Sequence, residues 1–230
     1  MRSMTMPFVC ALEDAAVIRV TGDDAGRWLQ GQTSQDVLSL PDAGGAYTLF
    51  VLGTGRIRAD AYVSRFAEGY DIVVSRNVQA TLAEVLERYV VMEDVDIVCP
   101  SLSVLTVQDV ASEAPLIGFD ARPAARLGTR GFDVLVGPDA RDAALAELTA
   151  RVVAVGGTAI SEAELEARRI ERGIPRFAKD FGEDTLPQEA GLTKLAVSFT
   201  KGCYIGQEPI VMLEHRGKPP KRLCIVEGQG

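Results

Sequence analysis

The stretch Lys201-Gly202-Cys203-Tyr204-Ile205-Gly206-Gln207-Glu208 sets a cation, a thiol, a phenol, an amide and a carboxylate around two glycines. One Ile and one Tyr are its only apolar residues, so it is poor core material. The glycines keep the backbone free of bulk where polar groups converge, and the pattern reads as a loop between strands. Ordered loops on a scaffold are where binding and chemistry concentrate. A part-exposed Cys203 near Lys201 would have its thiolate favoured, which makes it a candidate nucleophile. A plain structural turn, with Gly202 and Gly206 present for backbone angles, is the other reading.

Outward from that stretch, the 230 residues suffice for one large domain or two lobes, with 47% apolar and 24% charged residues. A net charge of −8 argues against a protein that coats nucleic acid. Between Lys194 and Arg222, however, six Lys/Arg stand against two Glu, so the local balance is +4 around the loop. Met1 to Pro7 hold no apolar run of signal-peptide type and no later stretch is long enough to span a bilayer, which predicts a cytoplasmic protein without a membrane partner. The cysteines at 10, 99, 203 and 224 show neither C-x-x-C spacing nor a disulfide framework. With His215 as the single histidine, neither a Ser-His-Asp triad nor a multi-histidine metal site can be assembled, and no metal site is expected.

Upstream, Ala16 to Thr21 reads as a buried strand. Asp23 is positioned to cap a following helix, on whose apolar stripe Trp28 is read as core rather than as a ligand-stacking ring. Strands follow over Ala46 to Leu52 and Arg56 to Ser64, joined by Gly53-Thr54-Gly55. The second alternates cleanly: Ile57, Ala59, Ala61 and Val63 on one face, Arg56, Arg58, Asp60 and Tyr62 on the other. That polar face is either solvated or lines a cavity. A strand over Tyr70 to Ser75, a helix from about Asn77 to Val90 and a strand over Val95 to Cys99 complete the cycle. A shorter cycle has strands near Ser103 to Val107 and Phe132 to Val136, then a helix opened by Pro138 and Asp139; the irregular stretch Ala111 to Arg130 is expected at the surface. Ser161-Glu162-Ala163-Glu164 is a capping box for a helix ending near Arg172, before Gly173 and Pro175. The order predicts an α+β fold with antiparallel-rich sheets.

Four motifs carry a resemblance. Phe199 to Glu208 (F-T-K-G-C-Y-I-G-Q-E), Leu29-Gln30-Gly31-Gln32-Thr33 with Asp36, Arg169-Ile170-Glu171 with Gly173 and Pro175, and Pro187-Gln188-Glu189 resemble the YgfZ family, folate-binding proteins related to the glycine-cleavage T-protein, an aminomethyltransferase. The resemblance implies two αβ lobes, residues 1–100 and 101–220, with 221–230 as the first strand of a C-terminal barrel that the chain does not complete. It implies a tetrahydrofolate or derivative as cofactor, and a role in iron–sulfur cluster assembly or repair that supports tRNA modification indirectly. The implied partners are iron–sulfur enzymes or assembly proteins, without direct nucleic-acid contact. One-carbon transfer to tetrahydrofolate is the rival reading, and a non-catalytic interaction module a third.

By the same resemblance Cys203, Lys201 and Asp60 are the candidate catalytic residues. Glu171 would grip the pterin, since one carboxylate can accept two adjacent donors. Arg169, Gln188, Tyr204, Gly206, Gln207, Glu208 and Arg56 complete the cofactor-binding set, and Cys203 is expected to point toward the ligand or an incoming partner. The chain departs from the family pattern at Ala15 and Leu165, where some relatives carry tryptophan, and at Pro209-Ile210-Val211-Met212, which replaces V-V-A-R.

Overall fold

Alternation decides the first sheet. In β4, Ile57–Phe66, the alanines and valines at 59, 61 and 63 are buried on one face while Arg58, Asp60 and Tyr62 keep partial access on the other. In the computed structural model, which describes residues 6–226, β4 lies in a sheet with β3 (Gly45–Val51), β5 (Gly69–Ser75), β2 (Ala15–Thr21) and β6 (Asp96–Val98), in the order β3-β4-β5-β2-β6. The second sheet runs β10-β1-β7-β9-β8, formed by Thr158–Ala159, Phe8–Leu12, Ser103–Gln108, Gly131–Val136 and Ala121–Pro123. Pairing is antiparallel throughout except for β1 with β10. The α+β expectation holds, and among the described residues the strands form open sheets and no closed barrel.

Helices cover the outer faces. On the first sheet lie α1 (Ala25–Gln32) and α2 (Arg76–Glu87), burying Trp28, Leu29, Leu82 and Leu86. Trp28 is thus a core residue, its indole N–H donating to Tyr89 O at 3.1 Å. On the second sheet α3 (Arg141–Ala154) buries Leu148 and Val152. Each large side chain so enclosed contributes roughly 1.5–3 kcal/mol of apolar transfer. The inner faces meet through Leu12, Val17, Val73, Val104 and Leu135, and edge strand β3 abuts edge strand β8 so closely that a Cβ on Gly45 would lie 2.5 Å from Pro123 O. The capping box at Ser161 is present as read and starts α4, Glu162–Glu171.

Several boundaries differ from the expectation. The division at residue 100 does not hold for the N-terminal strand: Phe8–Leu12, apolar and buried, pairs with β7 and β10 of the second sheet, two residues before the chain enters the first. Asp24, not Asp23, stands at the start of α1, and its carboxylate serves Arg27 and the Asp94 N–H instead of capping the helix. The loop after Tyr204 is brief, because Gln207–Arg216 forms a helix (α6), preceded by the short α5 at Thr193–Ala196. Residues 221–226 run without strand pairing, and the rest of the expected barrel strand lies outside the described residues.

Candidate functional site

Between the inner faces of the two sheets is a cavity of about 320 Å³, floored by Asp60 and Tyr62 of β4 and roofed by Arg126 from the loop after β8. Glu162, Leu165, Glu166 and Arg169 of α4 form one wall, and Pro175 to Phe177 another. Asp60 and Tyr62 of the polar face of β4 therefore line a cavity instead of facing bulk water. Asp60 Oδ2 accepts from the Tyr47 hydroxyl at 2.9 Å and from the Phe177 N–H at 3.3 Å. Its Oδ1 accepts nothing from the described residues. Burial dominates and raises the Asp60 pKa above its ordinary value, the two hydrogen bonds opposing it. Burial and the neighbouring Asp60 likewise push the Tyr47 phenol well up, so it donates and stays neutral.

Arg126 is held rigidly. Its Nε and Nη2 form a bidentate pair with buried Asp133, at 2.8 and 2.5 Å, and its plane lies 4.6 Å from the Tyr62 ring centroid. Asp133 keeps the guanidinium charged against the opposing cost of burial. At the rim, Arg176 bridges Asp14 (2.6 Å) and Glu166 (3.4 Å), so the charges there are largely paired.

The signature loop is built differently from its expectation. Lys201 is buried, and its ammonium donates to the carbonyls of Gln30 (2.6 Å), Thr33 (2.6 Å) and Gln35 (3.0 Å) at the C-terminal end of α1. A cation belongs there, where helix carbonyls lack partners. Lys201 therefore ties the loop to the Leu29–Thr33 motif, helped by Ile205 N–H to Gly31 O at 3.0 Å and Ser198 N–H to Ser34 O at 2.9 Å. Burial lowers its pKa to about 8, against the pull of nearby Asp36. Its three protons are committed to backbone, which corrects the expectation that it acts on Cys203 or on a ligand.

Tyr204 is buried against Leu49, Ile57, Phe177 and Leu192, and its ring lies 4.9 Å from the Lys201 Nζ. Burial raises its phenol to about 12. Gly206, at φ 76°, sits before α6 where a Cβ would lie 2.1 Å from Leu52 O, whereas a Cβ on Gly202 would meet nothing. Only the second glycine is required by its conformation. Gln207 and Glu208 start α6, and Gln188 Nε2 donates to Ile210 O at 2.8 Å, pinning that helix.

Cys203 is exposed, and no residue from Lys201 to Glu208 lines the cavity, so the thiol faces outward and not toward a ligand between the sheets. Glu171 is also exposed and outside the cavity: α4 turns Glu162, Leu165, Glu166 and Arg169 inward, which sends position 171 away. It cannot be the floor of this cleft. Arg169 does line the cavity, yet Glu166, Asp180 and Ile174 O occupy its guanidinium. Arg56 is exposed and donates to Asp184 O, away from the cavity. Sequence reasoning missed Tyr47 and Arg126. Tyr47 shares a face with Leu49 and gives no polar signal, and Arg126 is one of three arginines in a stretch without periodicity. Among the described residues no group of three or more His, Cys, Asp or Glu could hold a metal ion, and no helix is long and apolar enough to cross a membrane.

No protein-family model matches the chain. By sequence it is 27% identical over 227 residues to a "tRNA-modifying protein YgfZ" of Photobacterium profundum, covering 95% of this chain and 69% of that protein. A YgfZ of Edwardsiella ictaluri is 28% identical, with 94% and 70% covered. An "iron-sulfur cluster assembly factor IBA57 homolog, mitochondrial" of Pyricularia oryzae is 26% identical over 94% of this chain and 57% of that protein. The crystal structure of aminomethyltransferase T from Bartonella henselae superposes with a TM-score of 0.79 at 17% identity, over 93% of this chain and 64% of that one. The chain thus spans about two thirds of the length of these proteins, and over that span it is a relative of the YgfZ proteins built on the fold of aminomethyltransferase T.

Proposed function

We propose that the chain binds a reduced folate in the cavity between its sheets and acts in the assembly or repair of iron–sulfur clusters, supporting tRNA modification indirectly. The observation that carries the reading is Asp60, a carboxyl with one unpartnered oxygen, set in a cavity whose size falls in the range of small-molecule sites. The residues present suit a pterin: tilted aromatic rings of Tyr47 and Tyr62 with centroids 5.0 Å apart, an acceptor at Asp60 and a donor at Arg126. The names of the YgfZ and IBA57 relatives supply the tRNA and iron–sulfur context.

A bound folate supplies a one-carbon unit carried on ring nitrogen. This chain's own residues orient it and manage a proton. Tyr47 and the Phe177 N–H fix the carboxyl of Asp60 with one oxygen left to accept from a ligand N–H, and its raised pKa makes it a stronger base for that proton than an exposed carboxylate. Cys203, outside the cavity, is placed where a partner protein could reach it.

Calorimetric titration of tetrahydrofolate should show saturable binding that Asp60→Ala weakens and Glu171→Ala leaves unchanged. In cells, Cys203→Ala should lower the activity of iron–sulfur enzymes; full activity there would remove the maintenance role. The position of Asp60 favours one rival, aminomethyl transfer. That reading requires methylenetetrahydrofolate to be released from an aminomethyl-loaded lipoyl carrier, with Asp60→Asn inactive. A binding module without chemistry would keep its function after both Asp60→Asn and Cys203→Ala.

A further inference from the structure

The cavity contains a donor that its own fold leaves unused. Arg126 points two of its three nitrogens at Asp133, while Nη1 makes no hydrogen bond among the described residues, and the side chain, 20% exposed, lines the cavity. A guanidinium is always charged, and an N–H that the protein leaves free beside a cavity is available to a ligand acceptor.

The chemistry of that acceptor follows from the charges around it. Asp133 already neutralises Arg126, and Asp60 lies in the same cavity. A ligand carboxylate or phosphate would add an anion to a cavity whose lining already sets Asp14, Asp60, Glu162 and Glu166 against Arg126, Arg169 and Arg176, the last two engaged by protein carboxylates. A neutral carbonyl oxygen fits. Asp60 Oδ1, by contrast, faces the same space as an acceptor and calls for a ligand N–H. The loop after β8 and strand β4 thus present one donor and one acceptor to a planar ligand, the pattern that reads a lactam edge.

The geometry points to Arg126 as the residue that selects the ligand, by donating from Nη1 to a neutral ring carbonyl, with Asp133 as its positioning residue. The assignment rests on the folate reading of the same cavity, and the carbonyl in question is the 4-oxo group of the pteridine.

Folic acid and aminopterin test it, because aminopterin exchanges the 4-carbonyl oxygen for an amino group and loses the N3 proton with it, which reverses the lactam edge. Replacing the acceptor by a donor sets N–H against N–H, which in an enclosed charged site is worth about tenfold to a hundredfold in affinity. Titration of the wild-type protein should therefore show folic acid bound at least about tenfold more tightly. Arg126→Met should lower that ratio at least about threefold, the remainder coming from Asp60 at N3, and Asp133→Asn, which keeps the guanidinium but loosens it, should lower it by less. The ratio is the informative quantity, since mere loosening of the fold weakens both ligands alike. Equal wild-type affinities overturn the assignment while leaving folate binding intact, and need no variant. An unchanged ratio in Arg126→Met, with thermal unfolding showing a folded protein, also overturns it. Absence of saturable binding for folic acid and tetrahydrofolate alike removes the folate reading itself, and this assignment with it.

Discussion

Arg122, on edge strand β8 of the second sheet, reaches across to Asp71 on β5 of the first, Nη2 to Oδ2 at 3.4 Å. The carboxylate is fully buried and is also gripped by Arg19 at 2.7 Å, while both guanidinium groups lie within 5.5 Å of the Phe66 ring centroid. Removing the shared anion leaves two arginines without their common partner, whereas removing one arginine leaves the other. Asp71→Ala should cost about 3–5 kcal/mol and Arg122→Ala distinctly less, measured by urea unfolding. Equal losses would mean that the cross-sheet half carries the whole interaction.

Asp60 should show the opposite sign. Its pKa is raised by burial, so folding favours its protonated form. The associated stability is present below the ordinary carboxylate range and is lost as pH rises through the raised value. Asp60→Asn keeps an acceptor for Tyr47 and Phe177 without the charge. The variant should unfold at a higher temperature than wild type at pH 7, and the gap should close as pH falls toward 4. A gap that widens on acidification would contradict the direction of the shift.

Lys201→Met should cost about 2–3 kcal/mol, since three carbonyls at the end of α1 lose a charged donor. Lys201→Arg should not restore it, because a planar fork cannot reproduce three diverging bonds. The pH dependence is a separate check. With a folded pKa of about 8 against an ordinary 10.5, the unfolded chain binds more protons between those values, so this group's contribution to stability rises across that window. Subtracting the Lys201→Met profile from that of wild type between pH 8 and 10 isolates it.

The two glycines of the signature should separate. Gly202→Ala adds a methyl group to open space and should shift the melting temperature little, whereas Gly206→Ala combines a left-handed backbone with a 2.1 Å approach to Leu52 O and should lower it by several degrees. Differential scanning calorimetry of the pair gives the answer directly.

Much of the fold was legible because β4, α2 and α4 bury one side and solvate another, and such periodicity is local. What escaped were features created by distance along the chain. Phe8–Leu12 is an apolar run like many others, and nothing within it announces that its partners are 90 to 150 residues away. The alternation of β4 by itself favoured solvent for its polar face, and what puts Asp60 in a cavity is distant chain: the Arg126 loop, α4 and residues 174–177. The signature loop was recognisable by its residues, yet their roles were not. Lys201 looked like chemistry and is a helix cap, because the carbonyls it serves come from residues 30–35. Glu171 failed for a simpler reason: it lies two residues, about half a helical turn, beyond inward Arg169 and so faces outward, and a motif read as a string does not say which way it faces.

The placement of Phe8–Leu12 bears on how the molecule is made. The segment is synthesised early, but it becomes an interior member of a sheet whose neighbouring strands at 103–108 and 158–159 are translated much later. Until then it is an exposed sticky edge awaiting its mates, and the hinge at Glu13-Asp14 joins a half that can close early to one that cannot. Severing the polypeptide near residue 100 would accordingly not yield two self-sufficient pieces, because the later piece would lack an inner stave supplied by the earlier one.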